Sequence, residues 1–199
     1  KSELDPRVLE AMSEVPRHAF VPRGLEDCAY DNGPLSIGYG QTISQPYIVA
    51  LMSDLLATQA HHVVLEVGCG SGYQSAVLSR LVKQVYSVEI VPELAQAAQE
   101  RLSRLGYDNV TVRHGDGYQG WPEHAPFDGI IVTAAAPEIP PPLVEQLKPG
   151  GRMLIPVGLP YMRQDLLLVE KSSSGEVMTR NMLAVAFVPL TGEHGAVDE

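Results

Sequence analysis

A glycine-rich loop followed by an acidic residue is the part of the sequence best suited to bind a ligand. The stretch V-V-L-E-V-G-C-G-S-G at 63–72 places Gly68, Gly70 and Gly72 at every second position, directly after an apolar run. Glycine has no side chain that would collide with a ligand or forbid a tight turn. Glu89 follows 21 residues after Gly68, where a carboxylate can accept both hydroxyl groups of an adenosine ribose. The pattern predicts a nucleoside site, and a plain strand-to-helix turn is the alternative.

The spacing of the glycines bears on which nucleoside cofactor is bound. The dinucleotide fingerprint is G-x-G-x-x-G, with the third glycine three residues after the second. Here position 73 is Tyr, and Gly72 comes one residue early. This departure speaks against a nicotinamide-dependent oxidoreductase, which stays open as an alternative that a titration with NAD would test.

A regular alternation of strand and helix patterns surrounds the glycine loop. Apolar runs predict strands over Val63–Val67, Val85–Glu89, Val110–Arg113, Phe127–Thr133 and Met153–Val157. Helical spacing predicts helices near residues 77–82, 92–105 and 142–147, the last ended by Pro149-Gly150-Gly151. Alternation of this kind gives parallel βαβ units, so we expect an α/β fold with a Rossmann-like doubly wound sheet.

The two ends of the chain carry different patterns. Asp5-Pro6 and Ser44-Gln45-Pro46 predict the starts of two helices, with loop-like residues 33–40 between them. Towards the C-terminus, Asp165–Glu170 and Met182–Leu190 predict further strands joined by a turn at 172–175. We therefore expect an antiparallel addition to a mostly parallel sheet.

Composition narrows the function classes. The chain has 199 residues, of which 45% are hydrophobic, and a formal charge of −10. Sequence-independent binding of nucleic acid depends on Lys and Arg contacts to phosphate, so we expect no nucleic-acid partner. No apolar run approaches a membrane span. Cys28 and Cys69 lack metal-ligand spacing, so we expect no metal and free thiols in the cytoplasm.

The loop E-V-G-C-G-S-G with its strand-end acid resembles the S-adenosylmethionine loop of class I Rossmann-like methyltransferases. In that class an acid after the third strand commonly reaches the adenine amino group, and Asp116 of H-G-D-G-Y fits this position. The cofactor-binding residues that the resemblance implies are Glu66, Gly68, Cys69, Gly70, Ser71, Gly72, Glu89, Ile90, Asp116 and Gly117.

Further segments resemble one methyltransferase family in order along nearly the whole chain. They are E-V-P-R-H-A-F-V-P (14–22), Q-T-I-S-Q-P-Y (41–47), R-H-G-D-G-Y-Q-G-W (113–121), F-D-G-I-I-V-T-A-A-A-P (127–137), L-K-P-G-G-R (147–152), I-P-V-G (155–158) and F-V-P-L (187–190). Together they look like protein-L-isoaspartate O-methyltransferases. T-I-S-Q-P and F-V-P-L are the specific parts, whereas the glycine loop is generic. Members usually carry a further N-terminal helical segment, inside or just after which this chain begins.

The resemblance implies transfer of a methyl group from S-adenosylmethionine to the free α-carboxylate of isoaspartyl residues in damaged proteins and peptides. The ester then cyclises to a succinimide, which partly reopens to normal aspartate. A carboxylate with a pKa of roughly 4 is already ionised at pH 7, so no general base or His or Cys nucleophile is needed. The family also implies one domain over 1–199, with a substrate-covering part (1–58), a cofactor-binding core (59–158) and C-terminal strands (159–199), acting as a monomer.

Ser44 is the residue to which the resemblance gives the catalytic role, that of orienting the substrate carboxylate by a hydrogen bond. The alternative is that Ser44 caps the helix that begins at Pro46, and both roles can hold together. The resemblance also places Thr42, Ile43 and Thr191 at the cofactor.

Residues 185–190 are predicted to form an edge strand, because Pro189 cannot donate a backbone hydrogen bond. By resemblance, the backbone of Val188, Pro189 and Leu190 pairs with the bound peptide, and such pairing tolerates many flanking sequences. Small residues around Ala135 would leave room for this substrate.

Two rival functions stay open. A methyltransferase acting on a small molecule would share the glycine loop, Glu89 and Asp116, but would not need T-I-S-Q-P or F-V-P-L. The second rival is a non-catalytic module that binds the cofactor or a partner protein. A Ser44→Ala variant that keeps cofactor affinity but loses turnover would argue for an enzyme.

Overall fold

A seven-stranded sheet with helices packed on both faces forms the body of the protein. The computed structural model describes residues 3–159 and 161–193. The helices are α1 (Pro6–Glu14), α2 (Pro46–Leu55), α3 (Tyr73–Ser79), α4 (Pro92–Arg104) and α5 (Pro141–Glu145). The strands are β1 (Leu35–Gly38), β2 (Gln41–Ile43), β3 (Val63–Val67), β4 (Gln84–Glu89), β5 (Val110–His114), β6 (Phe127–Val132), β7 (Leu147–Val157), β8 (Gln164–Lys171) and β9 (Val177–Val185).

The strand order of the large sheet is β5-β4-β3-β6-β7-β8-β9, and β1 with β2 forms a separate hairpin. Strands β3 to β7 pair in parallel, whereas β8 and β9 pair antiparallel to their neighbours. The chain moves outward from β3 through β4 and β5, then returns to the other side of β3 as β6. This reversal is a topological switch point, where ligands of open α/β sheets bind at the carboxyl ends of the strands. The expected fold class is confirmed.

The sheet is buried on both faces because its strands are apolar at successive positions. Val64 packs in a cluster that receives side chains from α1, α2, α3 and α4. Its neighbour Leu65 points to the opposite face and packs in a second cluster with Leu143 of α5. Both strand residues are fully buried. Two cores therefore hold the end of β3, and the glycine loop after it, on a rigid support.

The capping residue expected from the sequence is found at the start of α1 but not at the start of α2. The Asp5 carboxylate accepts a hydrogen bond from the Arg7 amide, so the predicted cap of α1 is confirmed. At α2 the capping residue is Gln45, whose side chain makes no capping hydrogen bond. The alternative role of Ser44 as a cap is therefore wrong: α2 begins at Pro46 as expected, and the capping position directly before it is Gln45.

Several element bounds differ from the sequence-based expectations. A loop is expected at residues 33–40, yet they contain β1 and the turn of the β1–β2 hairpin. The segment Pro149-Gly150-Gly151 was expected to end a helix but lies inside β7, where the register with β6 shifts between the pairs Phe127–Leu147 and Gly129–Arg152. The apolar pattern predicts the last strand over 182–190, but β9 spans Val177–Val185. The first half of β9 is exposed, and the polar residues Thr179, Arg180 and Asn181 interrupt its apolar pattern, so an interpretation based on apolar runs misses its start.

Candidate active site

All three loop glycines adopt backbone angles that other residues rarely reach. The φ angles of Gly68, Gly70 and Gly72 are 89°, 51° and 93°. A Cβ atom on Gly68 would lie 2.8 Å from Oγ1 of Thr133, and one on Gly70 would lie 3.2 Å from Cδ1 of Ile37. Both the conformation and the close packing therefore require glycine, as a loop that lets a ligand approach its backbone must.

The carboxylate of Glu89 is fastened to this loop. Glu89 is 4% exposed, its Oε1 accepts a hydrogen bond from the Gly70 amide at 2.9 Å, and its Oε2 accepts one from the Val91 amide at 3.0 Å. An ionised carboxylate has about four acceptor positions, so each oxygen can still accept a hydroxyl group. Glu89 therefore joins the ends of β3 and β4 and keeps the acceptors that a ribose would need.

An inner cleft opens above the ends of β3, β4 and β6. Its open volume, which includes solvent at the mouth, is about 480 Å³. Its lining residues are Gln41, Thr42, Val67, Gly68, Gly70, Val88, Glu89, Ile90, Gly117, Thr133, Ala134, Val188, Pro189, Leu190 and Thr191. The structure thus brings together residues from separate parts of the chain. Seven of the fifteen were expected at the cofactor, and Val188, Pro189 and Leu190, expected at the substrate, line the same cleft.

A second cleft continues the first on the other side of the glycine loop. Its volume, counted in the same way, is about 350 Å³. Its lining residues are Thr42, Ile43, Ser44, Val49, Gly68, Cys69, Gly70, Ser71, Tyr73, Gln74 and Thr133. Thr42, Gly68, Gly70 and Thr133 belong to both clefts. Ser44 therefore faces the same loop as the predicted cofactor residues, although it lies 24 residues before Gly68 in the chain.

An outer groove lies on the far side of Ser44. It is lined by Pro34, Thr42, Ser44, Gln45, Ile48, Arg163 and residues 184–187, and its open volume is about 890 Å³. Among the residues that the structure describes, none makes a hydrogen bond with the Ser44 hydroxyl. This hydroxyl stands between the loop clefts and the groove, and it is free to contact a ligand from either side.

The segment after β9 crosses the top of the sheet without joining it as a strand. The Val188 carbonyl accepts a hydrogen bond from the Ala135 amide, and the Leu190 amide donates to the Ala135 carbonyl, both at 2.7 Å. Pro189 lies opposite Ala135 in this single parallel bridge. The predicted edge strand over 185–190 is therefore wrong, since only Val185 belongs to β9. Ala135 is 3% exposed, and it is Ala134 that lines the inner cleft.

Four predicted site residues lie outside the lining of these clefts: Glu66, Gly72, Asp116 and Ala135. Asp116 accepts hydrogen bonds from the Tyr118 amide at 3.0 Å and the Glu193 amide at 3.2 Å, so it ties the turn after β5 to the end of the C-terminal segment. Gly72 supplies the left-handed residue at the start of α3. Their roles in cofactor binding stay predictions.

Glu66 is a fully buried acid beneath the glycine loop. Its Oε1 accepts hydrogen bonds from the hydroxyl groups of Ser75 and Ser87, whereas its Oε2 has no partner among the described residues. Burial raises its pKa to about 7, against the two serine hydrogen bonds that lower it, and the nearby charge of Glu89 raises it further. Burial likewise raises the pKa of the Cys69 thiol, so this cysteine stays protonated and is no nucleophile.

Sequence reasoning missed one residue at the centre of the site. Thr133 follows β6, lines both clefts and donates its hydroxyl to the Gly68 carbonyl. Its position directly after a buried strand at the switch point was the available signal.

Among residues 3–159 and 161–193, no group of three or more His, Cys, Asp or Glu could hold a metal ion. No helix in the same ranges is long and apolar enough to cross a bilayer.

The sheet order, the glycine loop and the buried acid at the end of β4 define the chain as a Rossmann-like methyltransferase of the type that uses S-adenosylmethionine. The chain belongs to the protein-L-isoaspartate(D-aspartate) O-methyltransferase family, whose family model matches residues 2–195. The resemblance drawn from the sequence motifs is thereby confirmed.

Individual relatives agree with this assignment. Protein-L-isoaspartate O-methyltransferase 2 of Syntrophobacter fumaroxidans is 66% identical over 98% of this chain and 78% of the relative. A solved protein-L-isoaspartate O-methyltransferase superposes with a TM-score of 0.89 at 31% identity, over 96% of this chain and 63% of that one. The chain therefore spans just under two thirds of that solved protein. A Plasmodium falciparum protein solved with S-adenosyl-L-homocysteine has a TM-score of 0.80 at 27% identity, over 94% of this chain and 91% of its own.

Proposed function

We propose that this chain transfers the methyl group of S-adenosylmethionine to the free α-carboxylate of L-isoaspartyl residues in damaged proteins and peptides, which starts their repair through a succinimide. The observation that carries the proposal is the position of Ser44. Ser44 lines both the cleft beside the glycine loop and the open outer groove, and its hydroxyl has no hydrogen-bond partner among the described residues. A small-molecule methyltransferase would need no such groove.

The reaction requires the protein mainly to bind the cofactor and the substrate and to align their reacting atoms. Bound S-adenosylmethionine supplies an electrophilic methyl group on a positively charged sulfur and leaves as S-adenosylhomocysteine. The glycine loop and Glu89 would hold it, with Thr133 fixing the loop from the neighbouring strand. These residues fit a nucleoside because they combine a bare backbone with a buried carboxylate that has free acceptor positions.

Ser44 would hold the substrate carboxylate by donating its hydroxyl hydrogen to one oxygen, leaving the other oxygen directed at the methyl carbon. The carboxylate is already ionised at neutral pH, so no side chain has to remove a proton. Alignment of the reacting atoms alone can contribute roughly 7–11 kcal/mol to lowering the barrier. The apolar walls supplied by Ile48 and Phe187 would exclude water from the carboxylate and so strengthen its reaction.

The substrate backbone would lie along residues 184–187, at the end of β9. The ladder with β8 ends at Val185, and beyond it the side chain of Gln164 holds the backbone of Phe187. Recognition through the main chain fits an enzyme that must accept many flanking sequences.

We also propose that the chain acts as a single-domain monomer in the cytoplasm. The free thiols of Cys28 and Cys69 support a reducing compartment. The −10 charge supports the absence of a nucleic-acid partner.

The deciding experiment uses methyl-labelled S-adenosylmethionine and two peptides of one sequence, one with isoaspartate and one with aspartate. Base-labile label on the isoaspartyl peptide alone is the expected result. Ser44→Ala should lose turnover and keep affinity for S-adenosylhomocysteine in calorimetry, with Ser173→Ala, on an exposed turn, as the matched control. Cofactor binding without label on either peptide would refute the proposal and favour a small-molecule substrate.

A further inference from the structure

Arg17 is a buried cation with no acidic partner among the described residues. It lies in the turn Arg17–Phe20 and is 1% exposed. Its Nη1 donates to the Ser44 carbonyl at 2.9 Å and its Nη2 to the Gly33 carbonyl at 3.1 Å. Its Nε is buried and has no hydrogen-bond partner in the part of the chain that the structure describes.

The charge of Arg17 is not neutralised by the surrounding side chains. Within residues 3–159 and 161–193, no carboxylate forms an ion pair with it, and the ring of Tyr73, 5.3 Å from the guanidinium carbon, is its aromatic neighbour. Burial lowers the pKa of Arg17, but a guanidinium stays protonated in proteins. Burying an unpaired charge costs free energy, so a charged side chain in a protein is ordinarily paired or left exposed to water.

Two of the three groups that Arg17 contacts indicate why the protein keeps it. Ser44 and Tyr73 both line the cleft on the serine side of the glycine loop. The guanidinium therefore lies directly behind the wall that would receive an anion. A carboxylate held at the Ser44 hydroxyl would bring the missing negative charge close to Arg17.

We propose that Arg17 is a positioning residue for methyl transfer, which fixes the main chain at Ser44 and whose uncompensated charge favours an anionic carboxylate there. This inference rests on the proposed function, because it takes the substrate group to be the isoaspartyl α-carboxylate. Arg17 acts through Ser44 and does not touch the reacting atoms. Its planar fork reaches two carbonyls at once, which the single ammonium of lysine cannot do in the same way.

The test compares two peptides of similar shape that differ in the charge of one group. One carries the isoaspartyl α-carboxylate, and the other carries an α-carboxamide at the same position. Their affinities are measured by calorimetry with saturating S-adenosylhomocysteine, so that no turnover occurs. The wild-type chain should prefer the carboxylate, and Arg17→Met should reduce this preference by roughly tenfold or more, as expected for loss of a charged partner.

Arg17→Lys keeps the charge and loses the fork, so it should retain most of the preference while lowering kcat through a less well-fixed Ser44. Arg7→Met is the matched control. Arg7 also donates to two carbonyls, those of Thr58 and Leu81, but neither residue lines the clefts or the groove. This variant should leave the preference unchanged.

A purely structural role for Arg17 would weaken both peptides and S-adenosylhomocysteine alike and leave the ratio of the two peptide affinities unchanged, which would overturn the inference. If Arg17→Met does not fold, Arg17→Lys decides, since a lost preference despite the kept charge, or an unchanged kcat despite the lost fork, would also overturn the inference. A wild-type chain that labels no isoaspartyl peptide would instead refute the proposed function. The two failures are therefore distinguishable.

Discussion

Glu66 should make the stability of this protein depend on pH in a direction opposite to that of an ordinary paired acid. Its pKa is about 7 in the folded protein against an ordinary value of 4.5, because burial disfavours the charged carboxylate. An acid whose pKa is raised by folding contributes stability that is fully present below pH 4.5 and is lost as the pH rises through about 7.

The size of the effect follows from the two pKa values. Each pKa unit corresponds to about 1.36 kcal/mol, so the contribution of Glu66 to the free energy of unfolding should fall by about 3 kcal/mol between pH 4.5 and pH 8. This is a substantial part of the ~5–15 kcal/mol that stabilises a typical domain. Glu66 is completely buried, so solvent does not screen the effect.

Glu66→Gln isolates this contribution, since glutamine has the same shape and cannot ionise. Its amide nitrogen would take the position of a carboxylate oxygen and leave a buried polar group unsatisfied at every pH. That cost is constant, so the measured quantity is the difference in unfolding free energy between wild type and variant, from urea titrations at pH 5, 6, 7 and 8. We expect the difference to shift by about 3 kcal/mol in favour of the variant as the pH rises.

Glu145→Gln, at an exposed acid of α5, serves as the control and should give a nearly flat difference. A difference for Glu66→Gln that stays constant across the same pH range would refute the reasoning. It would mean that Glu66 ionises as readily in the folded protein as in the unfolded chain.

Three further variants probe the clefts. Gly117→Ala would place a Cβ atom well inside van der Waals contact with Cγ1 of Val67. The free energy of unfolding, measured in urea, should fall by about 1–3 kcal/mol. Adding Val67→Ala to the same chain should partly restore it. Glu89→Ala should weaken S-adenosylhomocysteine binding by roughly tenfold or more in calorimetry, and unchanged affinity would remove Glu89 from the site. Gln164→Leu should raise KM for isoaspartyl peptide with little change in cofactor affinity, because it frees the backbone of Phe187; an unchanged KM would contradict this.

The Gln164 prediction has a structural basis at the end of β9. The buried side-chain amide of Gln164 donates to the Phe187 carbonyl at 3.3 Å and accepts from the Phe187 amide at 2.7 Å. It thus continues the ladder of β8 and β9 by one step with a side chain in place of a backbone. Gln119→Leu offers a comparison, since that side chain is away from the groove lining.

Much of the cofactor half of the site could be predicted from local sequence. Val63–Val67 is apolar at four of its five positions, which predicts a buried strand, and the glycines that follow it fit a turn with left-handed backbone angles. Glu89 ends the next strand, and in parallel strands the carboxyl ends meet at one edge of the sheet. The sequence alone therefore predicts that the loop and the acid meet.

The bounds of the C-terminal elements could not be predicted in the same way. The first half of β9 is exposed, and its polar residues Thr179, Arg180 and Asn181 break the apolar pattern although the segment pairs with β8. Residues 186–190 are apolar and resemble a strand, but a buried glutamine and the Ala135 bridge hold them instead. Burial alone does not distinguish a ladder from a crossing segment, because both exclude water.

The sequence by itself determined the alternation of strands and helices, the cofactor loop and the family, since these depend on backbone sterics, periodicity and the order of motifs along the chain. Only the tertiary structure decided which distant groups meet: Thr133 at the glycine loop, Arg17 behind Ser44, and the buried Glu66 with its raised pKa beneath them. These contacts depend on how the elements pack and on how far each group is removed from water. Neither quantity is a property of any local stretch of residues.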